Sequence, residues 1–251
     1  MLPAIKSELL KIATTRSTYI ITAICLLLST FLSFYVSGYR LNSNVVDPNF
    51  LANEATGSIV ILGLLIVIVG ILQVTHEYRY NTIMYTLASS GSRTQAFFAK
   101  LVAITCFAVA LTLLVSVLAP LAAYLGLQLK GLSMIGQEFS LIDVIGRGIF
   151  YGWAYAMYAA IIAFIVRNQV GTIAAVFILP VTVEPLLMLF LKENAMYLPF
   201  TALRAVLDTG AAQGMGNAMA LSPDRAILIV LSYLAVGSAI ALALFHRRDA
   251  N

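Results

Sequence analysis

Six separate stretches, residues 19–36, 57–75, 101–127, 148–166, 170–191 and 226–245, are each dominated by apolar side chains. Each is close to the roughly twenty residues that a helix needs to cross a ~30 Å hydrocarbon layer. Inside hydrocarbon, backbone N–H and C=O groups must find partners within the chain, so a run such as 59–72, which does not alternate, has to be a helix rather than a barrel strand. The expected fold is therefore an all-α integral membrane protein with six transmembrane helices. Hydrophobic residues make up 61% of the chain and charged residues 10%, with a mean hydropathy of +0.95, values foreign to a soluble domain. What remains outside the spans is an N-terminal arm, connectors and a short tail, none able to enclose a second core. Residues 1–251 are read as one membrane domain.

The net charge of +4 does not point to nucleic acid, because the basic residues stand singly at span ends and form no patch. Lipid is the partner that these surfaces imply. Cys25 and Cys106 fall inside spans, where they behave as small apolar residues and offer neither a disulfide framework nor zinc-ligand spacing.

Orientation follows from the basic residues, which collect on cytoplasmic connectors. With the N-terminus inside, the inner segments hold Lys6, Lys11, Arg16, Arg79, Arg93, Lys100, Arg167, Arg247 and Arg248, nine in all, against six outside. Acidic residues sort the other way: Asp47, Glu54, Glu138, Asp143, Glu193, Asp208 and Asp224 lie outside. Both termini are expected in the cytoplasm. In the arm, residues 1–16, Leu2, Ile5, Leu9 and Ile12 recur near helical spacing, with Lys6, Ser7, Glu8 and Lys11 on the other face. That pattern describes an amphipathic helix on the inner membrane surface, with a solvated extension of the first span as the plainer alternative.

The inner connector, residues 76–100, is polar and larger than a turn requires. Good helix formers run from His76 to Leu87 and are broken at Ala88-Ser89-Ser90-Gly91. Ser92 and Gln95 then form an S-x-x-Q capping box that opens the next helix. A helix, an elbow and a helix at the cytoplasmic surface suit a lever. The stretch Glu77-Tyr78-Arg79-Tyr80-Asn81-Thr82, followed by Ser89-Ser90-Gly91-Ser92-Arg93 and Lys100, resembles the connector of type-two (ABC-2) ABC exporter permeases. The six-span plan, the amphipathic arm and Tyr197-Leu198-Pro199-Phe200-Thr201-Ala202 before the last span are similar too. The elbow carries Ser and Gly where many members carry Pro.

The resemblance implies a permease subunit in a plasma (inner) membrane, of bacterial type, paired with a second copy or a homologue and driven by separate ABC ATPase subunits. ATP and Mg would be bound by that partner. No cofactor is expected in this chain, which contains no G-x-x-x-x-G-K-[ST] phosphate loop. On this reading Glu77, Arg79, Thr82, Leu87, Ser89, Ser92 and Arg93 form a cytoplasmic coupling surface. The plainer alternative makes Arg79, Arg93 and Lys100 positive-inside charges at headgroup level. The family moves peptide antibiotics, drugs and lipid-like amphiphiles outward, and an amphipathic or hydrophobic cargo is expected here.

Glu184 is the one acidic residue well inside a span, flanked by Pro180 and Pro185, which remove helix hydrogen bonds and predict a kink. Two readings stay open: a carboxylate facing the translocation pathway or a dimer seam, or one near the outer surface that is wetted or protonated. Along the fourth span Gly148, Gly152, Ala156 and Ala160 recur every fourth residue, a small-residue stripe for close helix packing. The accompanying Tyr151, Tyr155 and Tyr158 fit belts or core filling better than a substrate wall. The outer connector, residues 192–225, opens with an apolar segment that reads equally as a re-entrant hairpin, which the resemblance implies, or as a surface helix.

Enzymatic chemistry has no foothold: there is no Ser/His dyad, no paired Asp and no H-E-x-x-H helix, and His76 and His246 stand alone, so no metal site is expected. The rival functions are an ATP-independent channel or secondary transporter, and a membrane assembly or regulatory protein that transports nothing.

Overall fold

Helices longer than the hydrocarbon thickness set the architecture. The computed structural model describes residues 1–40, 50–132, 140–207 and 221–247. Asp47, Glu138, Asp208 and Arg248 lie outside the described residues. The elements are α1 (Leu2–Thr14), α2 (Arg16–Tyr35) with a π-helical turn over Val36–Arg40, α3 (Phe50–Arg79), α4 (Ile83–Ser90) and α5 (Arg93–Leu129). They continue with α6 (Leu141–Val166), α7 (Gln169–Ile178), α8 (Glu184–Leu191), α9 (Pro199–Ala205) and α10 (Pro223–Arg247). Six segments are long and apolar enough to cross a membrane: Arg16–Arg40, Phe50–Arg79, Arg93–Leu129, Ile142–Val166, Gln169–Tyr197 and Pro223–Arg247. The chain is a multi-pass, all-α membrane protein, with six spans where the sequence placed them.

The core forms where α3, α5 and α6 pack on one another, with α2 against α5 and α10 against α6. Small residues set these approaches. A Cβ on Gly148 would stand 2.6 Å from Ile59 Cδ1 and 3.1 Å from Ser116 Oγ, and one on Gly152 would overlap Thr112. Ala156 and Ala160 are buried in the same face, where a Cβ on Gly70 would lie 3.2 Å from the Ala156 carbonyl. Close backbone approach of this kind is how membrane helices associate when lipid itself is apolar. Tyr151, Tyr155 and Tyr158 are buried in the core, and Phe200 of α9 meets the last two edge-on at ring-centroid distances of 5.6 and 5.4 Å. Outward faces carry large exposed apolar side chains such as Leu27, Phe31, Leu121, Leu125, Leu189 and Phe190, as a lipid-facing surface must.

Prolines stand inside two spans, with different outcomes. The fifth breaks where the prolines predict, with π-helical Leu179–Val183 containing Pro180 and α8 beginning at Glu184-Pro185. The third continues for 37 residues through Pro120.

Candidate functional site: the connector and its buried charges

The connector has one more joint than its sequence suggests. The helix expected to run unbroken over 76–87 stops at Arg79, because Asn81 adopts a left-handed φ of 53°, a conformation Asn tolerates better than most side chains. The Tyr80 N–H donates to the His76 carbonyl at 2.9 Å, and the Thr82 N–H to the Glu77 carbonyl at 2.9 Å, closing the end of α3. The short α4 follows and ends at Gly91, whose φ of 73° is the left-handed C-terminal position that Gly fills without strain. The Gln95 N–H then donates to Ser92 Oγ at 3.2 Å, so Ser92 caps α5 as expected. Two tight turns of defined geometry thus bracket α4.

Behind α4 lies a cluster of four charges drawn from three helices. Glu8 and Lys11 come from α1, Glu77 from α3 and Lys100 from α5. Lys100 Nζ stands 2.9 Å from Glu8 Oε2 and 2.7 Å from Glu77 Oε1. Lys11 Nζ stands 2.5 Å from Glu8 Oε1 and 2.7 Å from the same Glu77 oxygen. Polar neighbours complete it: Gln73 Nε2 donates to Glu8 Oε2 at 3.1 Å, and Thr86 Oγ1 of α4 donates to Glu77 Oε1 at 2.8 Å. Glu8 and Lys100 are each only 1% exposed. Ions so far from water persist because each meets two opposite charges and the sum is zero. Burial alone would lower the pKa of Lys11, but its hydrogen bonds to Glu77 and Glu8, with their charges, raise it above the ordinary lysine value.

The cluster corrects three expectations. Glu8 and Lys11, assigned to the polar outer face of α1, instead face the bundle, while Leu2 and Leu10 are exposed. Glu77, assigned to the coupling surface, is 6% exposed and points into the protein. Nor is Lys100 a headgroup-level charge. The sequence carried no local signal for this, since Lys100 stands just before the apolar run 101–127, and only the structure shows it seven residues inside α5.

The other expected coupling residues are distributed around α4. Arg79 Nη1 donates to Gln169 Oε1 of α7 at 3.0 Å, and its guanidinium lies 5.5 Å from the centroid of the Tyr80 ring. Thr82 is exposed at the start of α4, and Leu87 is half-buried against the core. Ser89 lies on the α4 backbone, and its side chain lies outside the described residues. Arg93 reaches α10: its Nη1 donates to the carbonyls of Phe245 at 2.9 Å and His246 at 3.3 Å, at that helix's C-terminal end. A cation there satisfies end carbonyls and complements the helix dipole. The exposed residues of the connector include Arg79, Tyr80, Asn81, Thr82, Met84, Tyr85 and Ser92, with Tyr85 77% exposed. Arg79, Thr82 and Ser92 among these were singled out from sequence.

At the other end of the bundle, Glu184 is 4% exposed and turned onto α9 rather than into an open cavity. Its Oε1 accepts the Phe200 N–H at 2.8 Å, and its Oε2 accepts the Thr201 N–H and Oγ1–H at 2.8 Å each. The carboxylate therefore satisfies amides that the first turn of α9 leaves without helical partners. Pro180 and Pro185 flank the kink that carries it there.

The sequence model of the ABC-2 family transporter proteins matches residues 4–184. The match spans α1, the connector and the first five spans as far as Glu184, and the chain belongs to that family. No curated protein sequence matches the chain. A six-span member of a family of membrane transport components is a transport permease.

Proposed function

We propose that the chain is the permease subunit of an ATP-driven exporter, with both termini and α4 on the cytoplasmic side of a bacterial plasma membrane. Separate ABC ATPase subunits bind ATP and Mg, and a second permease copy or homologue completes the pathway. The ATPase docks on the exposed face of the connector, at Tyr80 and Thr82 in the turn before α4 and at Met84 and Tyr85 on α4. The observation that carries this reading is the way α4 is mounted. It hangs between two tight turns, with Thr86 bonded to Glu77 and, through Lys11 and Lys100, to α1 and α5. A push on α4 is therefore delivered to three helices together. Aromatic and Met side chains exposed on a polar connector are the residue types that anchor protein interfaces.

The outer segment around α9 forms a re-entrant cap over the pathway, clasped to the fifth span by Glu184. The substrate is amphipathic or hydrophobic, in keeping with the apolar faces of the spans and the sparse charge between them.

Transport in inside-out vesicles tests this reading. Uptake of an amphipathic cargo should require ATP and a co-expressed ATPase, and should drop at least about tenfold, a loss of about 1.4 kcal/mol in coupling, in a Met84→Asp, Tyr85→Asp double variant. Full activity without any ATPase would assign the chain to a channel or secondary transporter instead.

A further inference from the structure

The corner where α1 turns into α2 leaves a hollow of about 410 Å³, walled by Leu9 and Ile12 of α1, Thr18 and Thr22 of α2, and Cys106 and Phe107 of α5. Its volume falls in the range of small-molecule sites, roughly 300–1,000 Å³. None of the described connector residues lines it, so it is separate from the docking face of α4. The Tyr19 hydroxyl donates to the Ala13 carbonyl and ties α2 to the end of α1, which gives the hollow a set shape. Two of its walls belong to the first and third membrane spans. Cys106 is exposed, and α1 beside it exposes Leu2 and Leu10, so the hollow opens onto hydrocarbon. Water does not stay in an apolar space of this kind, and an empty one forfeits the dispersion contacts of its walls. A hydrocarbon chain fills it.

Charge decides the headgroup. From Met1 to Arg16 the chain carries one acid, Glu8, and three basic side chains, Lys6, Lys11 and Arg16. Glu8 and Lys11 are engaged in the buried cluster. Lys6 and Arg16 remain, both exposed, and neither makes an ion pair among the described residues. Lys6 stands one turn before Leu9 on the same face of α1, and Arg16 opens α2 two residues before Thr18. Two unbalanced cations thus flank the hollow at the level where the first span begins. An anion that carries its own hydrocarbon chain matches both features at once.

We propose that this hollow binds an anionic phospholipid. One acyl chain lies along Thr22, Cys106 and Phe107, and the phosphate stands within the field of Lys6 and Arg16. A choline lipid offers the same chain but sets its own cation against Lys6 and Arg16, and is disfavoured. The lipid holds α1 to the bundle from outside, as the Glu8–Lys100 pair holds it from within. It is a bound structural ligand rather than cargo, so the site goes beyond the export reading and stands or falls separately from it.

The chain has a single tryptophan, Trp153, so a Trp153→Phe background takes one new reporter. Phe107→Trp in the full-length chain reads the occupant of the hollow through quenching by phospholipids with brominated acyl chains, in mixed bilayers of phosphatidylcholine and phosphatidylglycerol. A basic side chain near an anionic headgroup contributes about fivefold in binding. Phosphatidylglycerol should therefore be preferred at least about tenfold at Phe107→Trp, and not at all at Leu121→Trp on the lipid-facing far end of α5. Lys6→Gln and Arg16→Gln should each lower the preference about fivefold and together abolish it. Thr22→Trp supplies a second reporter from α2 if Phe107→Trp fails to fold. Soluble glycerol phosphate, the headgroup without its chains, should not displace the lipid. Equal quenching by the two lipids in the hollow, an undiminished preference in the Lys6→Gln, Arg16→Gln variant, the same preference at Leu121→Trp, or displacement by glycerol phosphate would overturn the proposal.

Discussion

Lys100 and Glu8, 92 positions apart in sequence, meet at 2.9 Å with both side chains almost wholly removed from solvent. This pair ties α5, the longest span, to α1, an element outside the six spans, and Glu77 joins both to the root of α4. Disturbing any member therefore reaches the connector.

Removing one partner of such a pair leaves the other charged and buried, which costs about 3–5 kcal/mol. Lys100→Met should lower unfolding stability in detergent by that order. The Glu8→Gln, Lys100→Met double variant removes one charge of each sign and should recover most of the loss. A double-mutant cycle measured by denaturant titration checks the coupling, and strict additivity of the two single losses would deny it.

Close helix approach makes the effect of added methyl groups depend on position. Gly152→Ala drives a Cβ into Thr112, whose Oγ1 is committed to the Ala108 carbonyl at 2.7 Å, and should cost about 1–3 kcal/mol. Gly146→Ala meets nothing within 4 Å on the same helix and should be neutral or stabilising by about 0.5–1 kcal/mol. Thermal unfolding of the two variants side by side reads the contrast.

Glu184→Gln keeps one acceptor for α9 but sets an NH₂ group against the other amide. Losing the charge-assisted bonds should cost about 1.5–3 kcal/mol, expressed locally. Hydrogen exchange should accelerate at Phe200 and Thr201 while amides in the middle of α6 stay protected. Unchanged exchange at those two positions would separate Glu184 from the anchoring of α9.

The spans were legible because twenty apolar residues in a row leave the backbone one solution, and the kink at Pro180 because proline removes a helix bond wherever it stands. Gly148 and Gly152 could be read as a packing stripe from spacing alone. The charge cluster could not be read as a unit: Glu8, Glu77 and Lys100 each look like ordinary residues near a span end, and only the folded bundle makes them neighbours. For the same reason α1 appeared to carry its polar face outward, since amphipathic periodicity identifies two faces but not which one meets the protein. The contact of Arg93 with α10 could not be read from sequence. Its partners, Phe245 and His246, lie about 150 positions away. The joint at Asn81 was missed because an Asn in a left-handed turn leaves little trace within a helix-forming run.

The central claim is that work enters through α4 from a separate ATPase, and cysteine cross-linking at Tyr85 tests it most directly. In a Cys25→Ala, Cys106→Ser background, Tyr85→Cys should be labelled from the cytoplasmic side only. With a thiol cross-linker it should join a nucleotide-binding subunit, in a yield that changes between ATP-bound and nucleotide-free conditions. Labelling from the exterior, or a cross-link yield no higher than that of a cysteine placed at lipid-facing Leu121, would contradict the account.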